Sequence, residues 1–155
     1  SAPSDVYKRS VIFHDLKNDR TNNFDFALEE VVQFEGETGP YVQYTHARAM
    51  SILRKANHIV DTKEAFSLTD DDAWEVLKLI ENYPNVVRFA EEKCEPSAIA
   101  KFVINLAQAF NKYYAHTKVL VEDEAFNSRI ALVQTTASIL KQGLALLGVA
   151  APDEM

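Results

Sequence analysis

Cysteine, glycine and proline are all scarce in this chain. Its 155 residues include one cysteine, four glycines and five prolines. A single thiol, Cys94, excludes an internal disulfide and a zinc site built from cysteines. So few glycines and prolines exclude a collagen-like or linker-dominated chain, and they argue against an all-β domain with many turns.

Long apolar runs are missing as well. No stretch approaches the ~18 apolar residues that a membrane helix needs, and the N-terminal residues lack the apolar segment of a signal peptide. The composition, with 47% hydrophobic and 25% charged residues, is typical of a globular domain. We therefore expect a cytoplasmic protein that does not bind membranes. Because the chain begins with Ser1 rather than Met, we also expect it to be a fragment of a longer protein.

The net charge of -7 argues against a polyanionic partner, but the acids are unevenly distributed. The stretches 38–60, 96–121 and 125–152 contain no acid at all, and each of them carries lysine or arginine. If these stretches face one side, the protein has a basic face that suits RNA. The alternative is that they are acid-free because they are buried helices.

The clearest helical pattern lies in residues 38–60. Pro40 suits the first turn of a helix. Apolar residues then recur at spacings of three, four and seven, as in the buried face of a helix. They are Val42, Ala49, Ile52, Leu53, Ala56, Ile59 and Val60.

The same reasoning predicts the other helices. Residues 5–16 and 27–35 predict two short ones, the second ending before Gly36. A helix capped by Thr69 is predicted to end at Pro84, where another begins and continues to about Cys94. Pro96 and Asp123 are predicted to open two more, the last ending at Gly148. The fold class is therefore all-α, with a bundle of four to five helices.

Signatures of catalysis are absent from the sequence. The glycines are too sparse for a phosphate-binding loop, and no two histidines have the spacing of metal ligands on one helix. The neighbours His14 and Asp15 point in different directions on a helix, so they do not form an acid–base pair. Three consecutive acids, Asp70 to Asp72, are interpreted as a helix start rather than a metal site. We predict no catalytic residue, no metal and no cofactor in this chain.

Tyrosines and basic residues occur together at two places. Tyr41, Tyr44, Arg48 and Arg54 share the helix of residues 38–60, while the adjacent pair Tyr113–Tyr114 lies among Lys112, His116 and Lys118. Aromatic rings stack on unpaired bases and cations contact phosphates, so this mixture suits single-stranded RNA. One tyrosine of each pair, Tyr41/Tyr44 and Tyr113/Tyr114, can instead belong to the core. We expect both, with one tyrosine of each pair packed and the other exposed.

Four stretches resemble arginyl-tRNA synthetases, in that family's order along the chain. Residues 35–56, EGETGPYVQYTHARAMSILRKA, resemble the junction where the catalytic domain passes into the helical anticodon-binding domain. Residues 12–20 and 24–36 resemble the stretch just upstream. Residues 139–155, ILKQGLALLGVAAPDEM, resemble the family's C-terminus.

The resemblance implies two parts: residues 1–37 as the C-terminal end of the catalytic region, and residues 38–155 as the anticodon-binding bundle. It implies a parent enzyme that joins arginine to its tRNA with ATP and magnesium, through an aminoacyl-adenylate. Both ATP-binding signatures of the family, HIGH-like and KMSKS-like, are missing here, so this chain alone is expected to be inactive. Its expected partners are the anticodon loop of arginine tRNA and the parent's own catalytic domain, and not DNA.

The resemblance also assigns roles to single residues. The implied contacts to the anticodon loop are Tyr41, Tyr44, Arg48, Arg54, Tyr113 and Met155. Tyr113 is matched by spacing alone, and Tyr114 stays open as the alternative to it. Lys112 and Lys118 are expected to support them by contacting phosphates. The family is named for an Asp-Ala-Leu-Arg signature, of which AFNSR at 125–129 keeps only Arg129.

Two other functions remain open at this point. One is a structural or protein-interaction domain without an RNA surface, and the other is the related anticodon domain of another class I synthetase, such as the cysteinyl enzyme. In the first 37 residues, we expect Phe13, Phe24 and Phe26 to form an exposed apolar patch that contacts the catalytic domain.

Overall fold

The structure, a computed structural model, describes residues 2–19, 21–23 and 25–155, with side chains from residue 7 onward. Those residues form six helices and no strand, which confirms the all-α prediction. The helices are α1 (Ala2–Lys17), α2 (Leu28–Val31), α3 (Gly39–Ala56), α4 (Asp71–Lys93), α5 (Ser97–His116) and α6 (Phe126–Leu146). The four long helices α3 to α6 form the bundle. No helix in the described part of the chain is long and apolar enough to cross a membrane.

The core lies around α5 and α6. Helix α5 contacts α1, α3, α4 and α6, and α6 contacts α3, α4 and α5. A Cβ at Gly143 would collide with the Val103 side chain, so the glycine lets α5 and α6 approach closely. Apolar residues on two sides of α6, among them Leu132 and Leu140, are buried. Burial on two sides is typical of a helix that is central to a bundle.

Four predicted boundaries of the long helices are wrong. Helix α3 ends at Ala56, so Ile59 and Val60 of the predicted buried face lie beyond it, and Ile59 is exposed. Asp70, not Thr69, caps α4, because its carboxylate accepts a hydrogen bond from the Ala73 amide at 2.8 Å. Pro84 neither ends nor starts a helix, since α4 runs through it for 23 residues. Pro84 lies on the exposed side, where water can replace the lost backbone hydrogen bond. Asp123 lies in the turn before α6, where its carboxylate accepts from the Ala125 amide.

Other boundaries agree with the sequence. Pro40 lies in the first turn of α3, and Thr38 caps that helix. Helix α6 ends as predicted before Gly148, which has a positive φ of 72°. The Gly148 and Val149 amides donate to the Ala145 and Leu144 carbonyls, the pairing that typically closes a helix at such a glycine.

The first 37 residues differ from the prediction in two respects. Phe13 is buried, with its side chain against Gly39, so it is no part of an exposed patch. Phe26 is exposed as predicted, while Phe24 lies outside the described residues. The helix predicted over 27–35 is reduced to the single turn of α2, and Gly36 therefore caps no helix.

Candidate nucleic-acid interface

Helix α3 contributes one half of the candidate surface. The Thr38 hydroxyl accepts a hydrogen bond from the Tyr41 amide at 3.2 Å and so fixes the start of the helix. Tyr41, Tyr44 and Arg48 follow at spacings of three and four, which places them on the same side of α3. Tyr44 is 41% exposed, whereas Tyr41 is partly buried against the core.

Arg48 connects α3 to the end of α5. Its guanidinium lies 4.9 Å from the Tyr44 ring centroid and 5.4 Å from that of Tyr114. Its Nη1 donates to Asn111 Oδ1 at 2.7 Å, and its Nη2 donates to the Tyr44 hydroxyl at 3.4 Å. These partners are uncharged, so the positive charge of Arg48 is solvated by rings and an amide rather than cancelled.

The assignment of Tyr113 to this surface is wrong. Tyr113 is fully buried beside Phe110, and within the described part of the chain its hydroxyl has no hydrogen-bond partner. Burial raises the pKa of that hydroxyl well above its usual value, and the charge of Asp70 raises it further. Tyr114, about 100° further around α5, is 40% exposed and lies against Arg48.

The segment that follows α6, residues 147–155, lies back along α3. Gln43 Nε2 donates to the Ala150 carbonyl at 2.7 Å, and His46 Nδ1 lies 2.9 Å from the Pro152 carbonyl oxygen. Arg54 donates to the Asp153 carbonyl at 3.1 Å and pairs with the Glu154 carboxylate at 3.6 Å. These contacts bring the end of the segment beside the two tyrosines.

We call the group of Tyr44, Arg48, Arg54, Tyr114 and Met155 the tyrosine–arginine surface. Arg48 is partly buried, and the other four are exposed. Two open concavities meet there, and Tyr44, Arg48, Glu154 and Met155 line both. The smaller, of about 460 Å³, also contacts Tyr114 and Arg54, while the larger, of about 930 Å³, also contacts Tyr41 and Phe34. Both volumes lie in the range of small-molecule sites, so each concavity has room for a nucleobase.

Lys112 is not part of this surface. Its ammonium lies 3.3 Å from Asp72 Oδ1 on the side of α5 that faces α4, and His116 Nδ1 lies 2.6 Å from the other carboxylate oxygen. The hydrogen bond from His116 holds the pKa of Asp72 below its usual value, and Lys112 lowers it further. Lys118, by contrast, lines a third concavity together with Tyr114.

Comparison with known proteins agrees with this geometry. The profile of the family described as "DALR anticodon binding domain" matches residues 42–155. The chain belongs to this family.

Relatives of this DALR domain are arginine–tRNA ligases. That of Enterococcus faecalis is 64% identical over 146 residues, and that of Latilactobacillus sakei is 58% identical. The match covers 94% of this chain and 26% of each relative, so the chain spans about a quarter of their length.

Solved structures give the same assignment. An arginyl-tRNA synthetase of Thermus thermophilus superposes with a TM-score of 0.88 at 34% identity, over 97% of this chain and 27% of that one. The enzyme of Plasmodium falciparum superposes with a TM-score of 0.87 at 26% identity, over 95% of this chain and 26% of that one.

The altered signature of this DALR domain has a structural role. Arg129 is buried, and it donates to the carbonyls of Val119 and Val121 and to the Asp123 carboxylate, the last at 2.7 Å. It thereby fixes the connection between α5 and α6. Asn127, two residues earlier, binds the backbone of Asp61 at both its amide and its carbonyl.

Sequence reasoning missed three polar residues of the DALR domain: Gln43, His46 and Asn111. Each binds a partner more than 60 residues away along the chain. No local pattern could reveal such pairings, although a polar residue within an apolar helical face was the available signal. No metal-binding cluster of histidine, cysteine or acidic residues occurs in the ranges that the structure describes.

Proposed function

We propose that this chain binds the anticodon loop of arginine tRNA, as the anticodon-binding domain of a longer arginine–tRNA ligase. The observation that supports this function is the tyrosine–arginine surface in a domain of the DALR family. Because the relatives are arginine–tRNA ligases, neither the cysteinyl alternative nor a purely structural domain is favoured.

The chemistry of the surface suits the unpaired bases of a loop. Tyr44 and Tyr114 each expose part of a ring on which a base can stack. Arg48 lies between them and forms no ion pair with a carboxylate of the described residues, so it can contact a phosphate or stack on a base. Met155 adds an apolar contact at the edge of both concavities.

Arg54 and Lys118 complete the proposed phosphate contacts. Arg54 is half-exposed and shares its charge with Glu154, so RNA has to compete with that carboxylate. Lys118 is exposed next to Tyr114. Tyr41 lines the larger concavity but exposes only part of its ring, so we propose that it contributes less to RNA binding than Tyr44 and Tyr114.

We propose that the remaining part of the longer enzyme binds ATP, magnesium and arginine and carries out the attachment reaction in the cytoplasm. Residues 1–37 then form the end of its catalytic region. Exposed apolar side chains there, among them Tyr7, Ile12 and Phe26, support a contact with that region.

A binding titration tests this function. The labelled anticodon hairpin of arginine tRNA and the same hairpin with a non-arginine loop are titrated with the chain at two salt concentrations. We expect tighter binding to the arginine loop, and binding that weakens steeply with salt because phosphate contacts release counterions.

Two variants test whether the surface is the binding site. Tyr44→Ala should weaken binding to the arginine hairpin, because it removes a stacking ring. Phe89→Ala is the matched control, since Phe89 is exposed to a similar extent, 46%, but lies on α4. Equal binding of both hairpins, or equal losses in both variants, would contradict the proposal.

A further inference from the structure

Asn111 joins the residues of α3 that the proposed function uses. Its Oδ1 accepts a hydrogen bond from Arg48 Nη1 at 2.7 Å. Its Nδ2 donates to the Tyr41 hydroxyl at 2.9 Å and to Thr45 Oγ1 at 2.8 Å. One half-buried amide of α5 therefore contacts three successive turns of α3.

The orientation of this amide is determined by its partners. The Thr45 hydroxyl donates to the Tyr41 carbonyl at 2.9 Å, so it accepts from Asn111. Arg48 has donors only, so the oxygen of Asn111 must face it. A flipped amide would place its N–H groups against the guanidinium, and it would lose the hydrogen bonds to Arg48 and to the Thr45 hydroxyl. Both donors of the amide are thus used, and its oxygen faces the only cation of the network.

We propose that Asn111 is the positioning residue of the RNA-binding surface: it holds the Arg48 guanidinium between the rings of Tyr44 and Tyr114 before RNA arrives. This inference rests on the proposed function and deepens it. A free arginine side chain has many rotamers, and ordering it during binding reduces affinity. The hydrogen bond from Arg48 to Asn111 reduces that cost without cancelling the charge, whereas a carboxylate at the same position would cancel it.

The first experiment observes Arg48 directly, in the absence of RNA. In the wild-type chain, the Arg48 guanidinium NMR signals should be shifted by the ring currents of Tyr44 and Tyr114. In Asn111→Ala they should move toward those of free arginine. Gln108→Ala, an exposed amide on the same helix, is the matched control and should leave them unchanged. Unchanged Arg48 signals in Asn111→Ala would overturn the proposal.

The second experiment measures binding of the arginine anticodon hairpin. Asn111→Ala should weaken it about tenfold, as expected for a hydrogen bond to a charged group. In an Arg48→Ala background, the same substitution should cause little further loss, because Asn111 acts through Arg48. A loss of equal size in both backgrounds would mean that Asn111 acts independently of Arg48, and would overturn the proposal.

A third variant separates the position of the Arg48 guanidinium from the availability of its charge to RNA. Asn111→Asp keeps the acceptor for Arg48, so the Arg48 signals should stay near their wild-type positions, yet RNA affinity should fall because the carboxylate cancels the charge. Wild-type affinity in Asn111→Asp would count against the proposal. If the wild-type chain does not bind the hairpin at all, the proposed function fails, whereas the signals in free Asn111→Ala still decide whether Asn111 positions Arg48.

Discussion

Basic residues lie on two sides of the C-terminal end of α5, and their partners there differ in kind. On the side facing α3, Arg48 lies between two tyrosine rings and donates to an amide. On the side facing α4, Lys112 and His116 both contact the Asp72 carboxylate. The first arrangement leaves a positive charge available to a ligand, and the second forms an ion pair that neutralises it.

This difference shows that a stretch of sequence without acids need not form a basic surface in the folded protein. Four basic residues of the acid-free stretches pair with acids from other segments. They are Arg54 with Glu154, Lys101 with Asp19, Lys112 with Asp72 and Arg129 with Asp123. The basic face that would form if the acid-free stretches faced one side is therefore reduced to a smaller surface around Arg48.

The largest expected effect concerns the adjacent tyrosines of α5, of which Tyr113 lies in the core and Tyr114 on the surface. Tyr113→Ala should lower the free energy of unfolding by ~3–5 kcal/mol, because it removes a fully buried ring. Tyr114→Ala should change it by less than about 1 kcal/mol, as is usual for a surface substitution. Urea denaturation of the three proteins measures both values. Similar losses in the two variants would contradict the assignment of Tyr113 to the core.

For RNA binding, in contrast to stability, we expect the Tyr114 substitution to have the larger effect. Tyr114→Ala should weaken binding of the arginine anticodon hairpin by ~1–3 kcal/mol, because a stacking face is lost. Tyr113→Phe keeps the buried ring and removes only a hydroxyl that has no hydrogen-bond partner among the described residues, so both affinity and stability should be at least those of the wild type. A selective loss of affinity in Tyr113→Phe would show that this hydroxyl reaches the RNA.

The salt dependence of binding compares the two sides of α5 directly. Arg48→Ala should reduce the slope of log affinity against log salt by roughly 0.7, because one phosphate contact to single-stranded RNA is lost. Lys112→Ala should leave the slope close to that of the wild type, since Asp72 already neutralises this ammonium. If the slope falls for Lys112→Ala and not for Arg48→Ala, the phosphate contact lies on the α4 side of α5 and the assignment of Arg48 is wrong.

The smallest expected effect is the pH dependence contributed by Asp72. The hydrogen bond from His116, with Lys112, lowers the pKa of Asp72 in the folded state. Its stabilising contribution is therefore present above the unfolded pKa of about 3.9 and is lost as the pH falls through the lower folded pKa. The stability difference between wild type and Asp72→Asn should shrink as the pH falls below about 4.

Chemical denaturation at several acidic pH values checks this prediction. Asp71→Asn controls for the loss of one negative charge at the same helix start. A stability difference between wild type and Asp72→Asn that stays constant down to the lowest pH would contradict the role of Asp72.

Much of the fold was predictable from local patterns. The apolar spacing in residues 38–60 identifies α3, although this helix already ends at Ala56 and leaves Ile59 exposed. Pro40 and Gly148 mark a helix start and a helix end, as the structure confirms. The errors occur where packing outweighs a local preference. Helix α4 continues through Pro84, and Phe13 is buried against the start of α3 although it lies in a segment that we expected to be exposed.

The sequence alone determined the helical class, the order of the long helices and the aromatic and basic character of the α3 surface, because these properties repeat over a few residues. Only the tertiary structure decided between Tyr113 and Tyr114, because neighbours on a helix differ in which side is covered by other helices. It alone joined Asn111 to Arg48 and Asp72 to Lys112, partners that are 63 and 40 residues apart along the chain. Such pairs depend on how distant segments pack together, and the hydrophobic periodicity of the sequence carries no information on that packing.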